Sequence, residues 1–297
     1  MTEPRATPPA TASTDAIPVM GLQLQEGREI PRTQVLSWAL WDWATQPFNS
    51  VILTFVFSVY LVSDLFLPPG VEPGADENAV LTSGFGLAIG AAGVAIALLA
   101  PVLGQRSDVA GRRKLNLAIA TGLLAICTAL MFFVEADYSF FWFGAILVAV
   151  GSVFSEIAGV NYNGLLVHVS TPKTVGRISG LGWGFGYLGG IVALVLVIVM
   201  QQFGWFGLDQ DSGLNIRVVA LGCAVWTVLF SLPIFLNVPE PPPAADREKV
   251  GFLRSYVVLV QDIARIFREA RATFWFLLAS AVFRDGLAGV FTFGAII

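Results

Sequence analysis

Three acidic side chains lie inside stretches that are otherwise almost entirely apolar, and each has a polar partner seven residues on. Asp42 is followed by Gln46 and Asn49, Glu156 by Asn163 with Ser152 on the same face, and Asp285 by Thr292, with Arg284 beside it. A seven-residue step is two helical turns, so both members of each pair point the same way if the segments are helices. Ionisable groups are costly in hydrocarbon, so each needs a reason. The chemistry such groups offer is binding of a polar solute or exchange of a coupling proton. The competing reading is structural, with each acid capping a neighbouring helix or pairing with Arg284 to hold the fold. Catalytic chemistry has no such foothold. His168 is the single histidine, and Cys127 and Cys223 lie far apart in apolar surroundings. These supply neither a metal cluster nor a nucleophile with its base. His168 is expected at the boundary of its helix, where a proton relay is the lesser reading.

The elements that must carry these residues are membrane spans. Of 297 residues, 56% are hydrophobic and 13% are charged, against about 25% charged in a typical soluble domain. Mean hydropathy is +0.74. Apolar runs occupy about 35–66, 80–103, 115–135, 139–167, 177–203 and 217–237, with a seventh from about 273 onward. Each is long enough to cross a bilayer, which takes about 20 residues. Asp42, Glu156 and Asp285 fall roughly 10–18 Å from one end of their spans at 1.5 Å per residue. The fold class expected is therefore an all-α, multi-pass membrane protein. No basic patch with interleaved aromatics suggests nucleic acid. No phosphate-binding G-x4-G-K-[ST] loop appears, and no cofactor or metal is implied.

Charge placement orients the spans. Arg28, Arg32, the 104–114 cluster, Lys173, Arg177 and the cations of 238–272 collect on one side. Loops 67–79, 136–138 and 204–216 hold none, and Arg217 only borders them. Cytoplasmic loops carry the excess of Lys and Arg, which places the N-terminus and residues 238–272 in the cytoplasm and the chain in the cell membrane.

Four domains are expected. Residues 1–34, rich in Thr, Pro and Ala, form a disordered cytoplasmic tail. Residues 35–237 form a bundle of six transmembrane helices. Residues 238–272 form a cytoplasmic linker, opening on Val238-Pro239-Glu240-Pro241-Pro242-Pro243. From about Val250 to Arg271 apolar residues recur at three- and four-residue steps, predicting an amphipathic helix that lies on the membrane or packs on the bundle. Residues 273–297 form a seventh span. The glycine-dense block from Gly180 to Gly190 predicts close helix packing. Trp38, Trp41 and Trp43 are expected as anchors at the membrane interface, at least two of the three. Cys127 and Cys223 are expected in the core.

The stretch Gly104-Gln105-Arg106-Ser107-Asp108-Val109-Ala110-Gly111-Arg112-Arg113-Lys114 separates the second and third runs. Its spacing, G-x3-D-x2-G-R-[RK]-[RK], resembles the loop 2–3 signature of the major facilitator superfamily of secondary transporters. Four blocks narrow the resemblance: Ser37–Ala44, Asn161–Leu166, the glycine block of run five, and Phe283-Arg284-Asp285-Gly286. Together they are similar to the branch named for the autophagy-related vacuolar amino-acid effluxer of fungi, which has bacterial members. The chain departs from that branch at Trp41, commonly Tyr, and at Arg284, commonly Asn.

The resemblance implies the superfamily fold of two six-helix halves, with helices one, four and seven lining a central cavity. Charge and spacing within the runs make Asp42, Gln46, Asn49, Glu156, Asn163 and Asp285 the candidates for substrate binding or proton coupling, and they fall on those three helices. The resemblance implies Gly104, Asp108, Gly111, Arg112 and Arg113 as conformational-switch residues that latch the cytoplasmic helix ends. The expected function is a permease of a small polar solute, an amino acid or related metabolite, working by alternating access in the lipid bilayer with protons as the coupling ion. It is not expected to be an enzyme. The alternative is a non-transporting membrane scaffold or a relic of a transporter. Phe274 to Ile297 enters a seventh span without a polar flank, so the expectation is one half, the linker and the opening helix of a second half. Self-association is the partner such a truncation would imply.

Overall fold

A computed structural model describes residues 29–241 and 252–294, except the side chains at 75–77, 105, 108–110, 252–253 and 291–293. Among the described residues the regular structure is helical, with no strand. Helix α1 spans Arg32–Pro47; a π-helical stretch, Phe48–Phe55, and a short turn of helix, Phe57–Leu61, prolong it. Then follow α2 (Ala75–Ala110), α3 (Arg113–Leu130), α4 (Phe141–Leu165), α5 (Val175–Gln202), α6 (Leu214–Asn237), α7 (Phe252–Glu269) and α8 (Arg271–Phe293). Seven segments are long and apolar enough to cross a membrane: Arg32–Leu61, Asn78–Gly104, Arg113–Phe133, Tyr138–His168, Val175–Gln202, Leu214–Asn237 and Arg271–Val290.

Packing follows a simple rule. α1 packs on α5 and α6, α4 packs on α2 and α3, and α3 meets α6. Exchanging each helix with the one three further along maps this pattern onto itself, as nested three-helix repeats do.

The first helix changes character for a local reason. Pro47 has no N–H, so it cannot bond the Trp43 carbonyl one turn back. α6 supplies the missing donor, since Trp226 Nε1 donates to Trp43 O at 3.2 Å. The next residue of α6, Thr227, donates its hydroxyl to Ala44 O at 3.1 Å. In hydrocarbon a freed carbonyl needs such a partner, and a neighbouring helix is a usual source. The π-helical stretch begins immediately after Pro47.

Two expectations change here. The charged stretch before α3 is helical as far as Ala110, and the turn itself is Gly111 and Arg112. Gly111 takes φ 61°, ψ 31°, a left-handed conformation open to glycine at little cost. Gly104 instead sits within α2, where a Cβ would come 2.9 Å from Val160 Cγ1 of α4. Its role is close approach of helices. Trp38 and Trp41, expected at the interface, are 1% and 3% exposed. Both stack on Tyr162 with ring centroids 4.4 Å away. Their indole N–H groups are used inside the bundle, Trp38 donating to Tyr162 O and Trp41 to Thr121 Oγ1. With the polar atom satisfied, burial of the large apolar body is favourable.

Helix α7 has the expected apolar stripe. One edge touches α2, with the Tyr256 hydroxyl on Leu98 O and Ser255 buried. Val257, Leu259, Val260, Ile263 and Phe267 stay exposed. Most of the stripe is thus turned away from the bundle, as in a helix lying on a membrane surface. Cys127 and Cys223 are buried free thiols.

Candidate functional site

The buried apolar residues form two clusters stacked along the bundle. One contains Phe48, Val51 and Ile52 of the first span with Phe141, Ala145 and Val148 of α4. The other contains Trp38, Ala39 and Trp41 with Ala158, Tyr162 and Leu165. The polar residues fall in the seam between them. Asp42 and Gln46 follow Trp41 and precede Phe48 on the first span. Glu156 lies between Val148 and Ala158 on α4. Thr121 and Thr227 take the corresponding levels of α3 and α6, with Leu117 and Ile234 on one side and Leu124 and Cys223 on the other. Asp42 is ten residues from Arg32, about 15 Å along the helix, near the middle of a ~30 Å hydrocarbon core.

Asp42 is placed by α5. A Cβ added to Gly186 would lie 2.7 Å from Asp42 Oδ2 and 3.2 Å from Gln46 Nε2. One turn earlier on α5, a Cβ on Gly182 would lie 2.7 Å from the Tyr162 hydroxyl. The Asp42 carboxylate and the Tyr162 hydroxyl therefore address successive turns of the same glycine face, roughly 6 Å apart along α5. Tyr162 Oη is buried with no hydrogen-bond partner. The Gln46 side chain is held by Asn49, whose Nδ2 donates to Gln46 Oε1 at 3.1 Å. The site on α1 is thus a linked row, Asp42, Gln46 and Asn49, walled by glycines.

Glu156 and Asn163 are exposed on one face of α4, as their seven-residue spacing requires. α8 reaches this side of the bundle, touching the π-helical stretch of the first span. Asp285 is exposed, and its expected partner Thr292 has its side chain outside the described set. No hydrogen bond or ion pair joins Asp42 to Glu156 among the described residues. The spans one, four and seven come to a common region, while each acid keeps its own surroundings.

The residues expected to form a switch lie in a separate cluster. Arg113 is 6% exposed, and its guanidinium lies against Gly164 of α4, with Nη1 3.4 Å from Val160 O. Lys114 reaches the other way. Its Nζ donates to Val238 O at 2.7 Å and its amide to Glu240 Oε1 at 2.8 Å. A carboxylate suits the start of α3, and an ammonium suits the carbonyl end of α6. Two consecutive residues thus tie α3 to α4 and α6. Arg112 is exposed, and the Asp108 side chain is outside the described set.

Residues 167–297 match the family model described as vacuole effluxer Atg22 like. The chain is also 27% identical over 260 residues to a protein of Bacillus subtilis (strain 168) named uncharacterized MFS-type transporter YxiO. Both matches support a major facilitator chain of the Atg22-like branch. The alignment covers 86% of this chain and 58% of that relative, so the chain spans less than two thirds of the relative's length. No solved structure matches.

The region matched by the family model holds the glycine face of α5 and Arg284–Asp285. Asp42, Glu156 and the switch motif lie before it. Sequence reasoning missed Tyr162 and Gly186 as members of the site. Tyr162 stood inside a quoted block, Asn161–Leu166, but a tyrosine in an apolar run signals core until its hydroxyl is found without a partner.

Proposed function

We propose that this chain acts in a permease, a secondary transporter of a small polar solute that works by alternating access and uses protons as the coupling ion. The observation that carries the reading is the seam: Asp42 and Glu156 stand at mid-depth between two apolar clusters. Placing carboxylates at hydrocarbon depth is costly, and such residues usually mark a solute or ion pathway. Asp42 with Gln46 and Asn49, and Glu156 with Asn163, are assigned to solute and proton, and Asp285 to the same region from the seventh span. An amino acid or related metabolite is the solute class assigned, after the resemblance to the vacuolar amino-acid effluxer branch. The domain organisation proposed is a six-helix bundle, a linker over 238–272 carrying a surface helix, and a span that opens a second unit. The N-terminus and the cation-bearing loops are assigned to the cytoplasmic face of the cell membrane. Gly104, Asp108, Gly111, Arg112 and Arg113 are assigned to the conformational switch, through the Arg113–Gly164 latch.

Proteoliposomes holding the chain and a radiolabelled amino-acid mixture provide the test, diluted with and without acid outside. Efflux should quicken with the inward proton gradient. Asp42→Asn and Glu156→Gln should each abolish that acceleration while the purified variants unfold at the same detergent–denaturant ratio as the parent. Release equal to that of empty-protein liposomes, or a gradient response untouched by both variants, would reject the reading.

A further inference from the structure

A second polar feature lies away from the seam, at the cation-bearing end. α2 and α3 leave the Gly111 turn and both pack on α4. Between them opens a groove of about 330 Å³. Arg106 on α2, Arg112 of the turn before α3 and Asn161 of α4 all line it. Leu103, Ile119 and Phe154 line the part that runs toward the middle of the spans. The groove straddles the end of the span Asn78–Gly104 and the start of the span Arg113–Phe133, the level at which lipid phosphates lie.

Three properties define an occupant. Arg106 and Arg112 are exposed, both line the groove, and no ion pair joins either to a described residue. Guanidinium matches phosphate oxygens in geometry as well as charge. Asn161 is 1% exposed; its Nδ2 donates to Ile157 O at 2.8 Å, and its Oδ1 is buried without a partner. A buried carbonyl oxygen calls for a donor, and a phosphate diester has none to give. The apolar wall, with Ile119 53% exposed, offers a surface for a hydrocarbon chain and none for a free ion.

We propose that this groove binds one anionic phospholipid whose headgroup carries a hydroxyl, of the phosphatidylglycerol class. Arg106 and Arg112 hold the phosphate, a headgroup hydroxyl donates to Asn161 Oδ1, and an acyl chain lies along Leu103, Ile119 and Phe154. Basic pockets between transmembrane helices recognise lipid headgroups in this way. The site shares no residue with the seam, while Arg112 also belongs to the residues assigned to the conformational switch; retention of lipid, unlike transport, does not depend on that assignment. It lies beside the Gly111 turn, so its occupant would brace α2 against α3.

Native mass spectrometry of the full chain released from detergent tests the proposal with four probes. These are phosphatidylglycerol, phosphatidylmethanol (equal charge, no hydroxyl), phosphatidylethanolamine (zwitterionic) and inorganic phosphate as competitor. Phosphatidylglycerol should be retained over phosphatidylmethanol by about two- to tenfold, the worth of one hydrogen bond, and over phosphatidylethanolamine by more. Arg106→Gln and Arg112→Gln should each lower its retention about fivefold. Asn161→Leu should make phosphatidylglycerol and phosphatidylmethanol equal; should that variant not fold, the comparison of the two lipids on the parent chain decides alone. Equal retention of those two lipids by the parent, or retention unchanged in the arginine variants, overturns the proposal. Displacement of the lipid by millimolar inorganic phosphate overturns it in favour of a free-anion site.

Discussion

Gly186 lacks a side chain in a place where Asp42 already occupies the space one would need, and the other glycines of α5 differ from it in ways that can be ranked. A methyl group at Gly184 would meet nothing within 4 Å. At Gly186 it would meet Asp42 Oδ2 at 2.7 Å, the end of a side chain that can rotate aside. At Gly189 it would meet the Trp43 carbonyl oxygen at 2.7 Å and Trp43 Cα at 3.0 Å, backbone that cannot yield without moving α1. Overpacking of this kind costs about 1–3 kcal/mol. Gly189→Ala should therefore lie at the upper end of that range in detergent–denaturant unfolding, Gly186→Ala lower, and Gly184→Ala near zero. Gly186→Ala should also impair the proton-gradient response beyond its effect on stability, because it displaces the carboxylate. Equal stability across the three would mean that α5 does not approach α1 on this face. The glycine block was legible as a packing surface, because small residues at that density have few other uses. Its partner was not, since a stripe of small residues does not name what stands opposite. Trp38 and Trp41 failed to read correctly for a related reason. An indole suits an interface or a core equally well until the acceptor for its N–H is known, and both acceptors come from residues distant in sequence.

At the scale of the element, the first span, to which the proposed site is assigned, is interrupted at Pro47. Pro47 leaves the Trp43 carbonyl without its intrahelical donor, and Trp226 provides one. Pro47→Ala restores an N–H that can take over that carbonyl, so the value of Trp226 should depend on Pro47. Trp226→Phe keeps the ring stack on Trp43, at 5.5 Å between centroids, while removing the donor. It should cost about 0.5–1.5 kcal/mol in the parent and less in the Pro47→Ala background, a coupling that a double-mutant cycle in unfolding measures. An equal cost in both backgrounds would show that the indole bond does not compensate for the proline. The first six spans were legible to within about five residues at each end, and the seventh at its start, because hydrocarbon demands long apolar runs and punishes charge within them. The π-helical stretch was not legible. Proline announces a break in the helix, but the geometry after it is set by what α6 places opposite. The helical continuation of α2 to Ala110 escaped notice likewise, since charged residues mark the end of the apolar run and not the end of the helix.

At the scale of the whole molecule, orientation rests on where the cations lie, and Arg217 is the residue that could blur it. The structure gives Arg217 a local function. Its guanidinium donates to Phe132 O, lies 3.6 Å from Glu135 Oε1 and sits 5.2 Å from the centre of the Phe132 ring. It thereby joins the end of the third span to the start of α6, with its charge offset by a neighbour. Arg112, Lys173 and the α7 arginines at the opposite end are exposed, and such cations resist translocation. Lys173 and Gln210 are exposed in loops at opposite ends of the bundle, which makes them reporters of sidedness. With Cys127 and Cys223 replaced by Ala, Gln210→Cys should react with a membrane-impermeant maleimide in intact cells. Lys173→Cys should react only after the membrane is opened. The reverse pattern would place the cation-bearing end outside, and the Arg113 latch would then close the opposite mouth of the pathway. The lipid groove would move to the other leaflet without losing its chemistry, whereas the direction in which protons reach Asp42 would change sign.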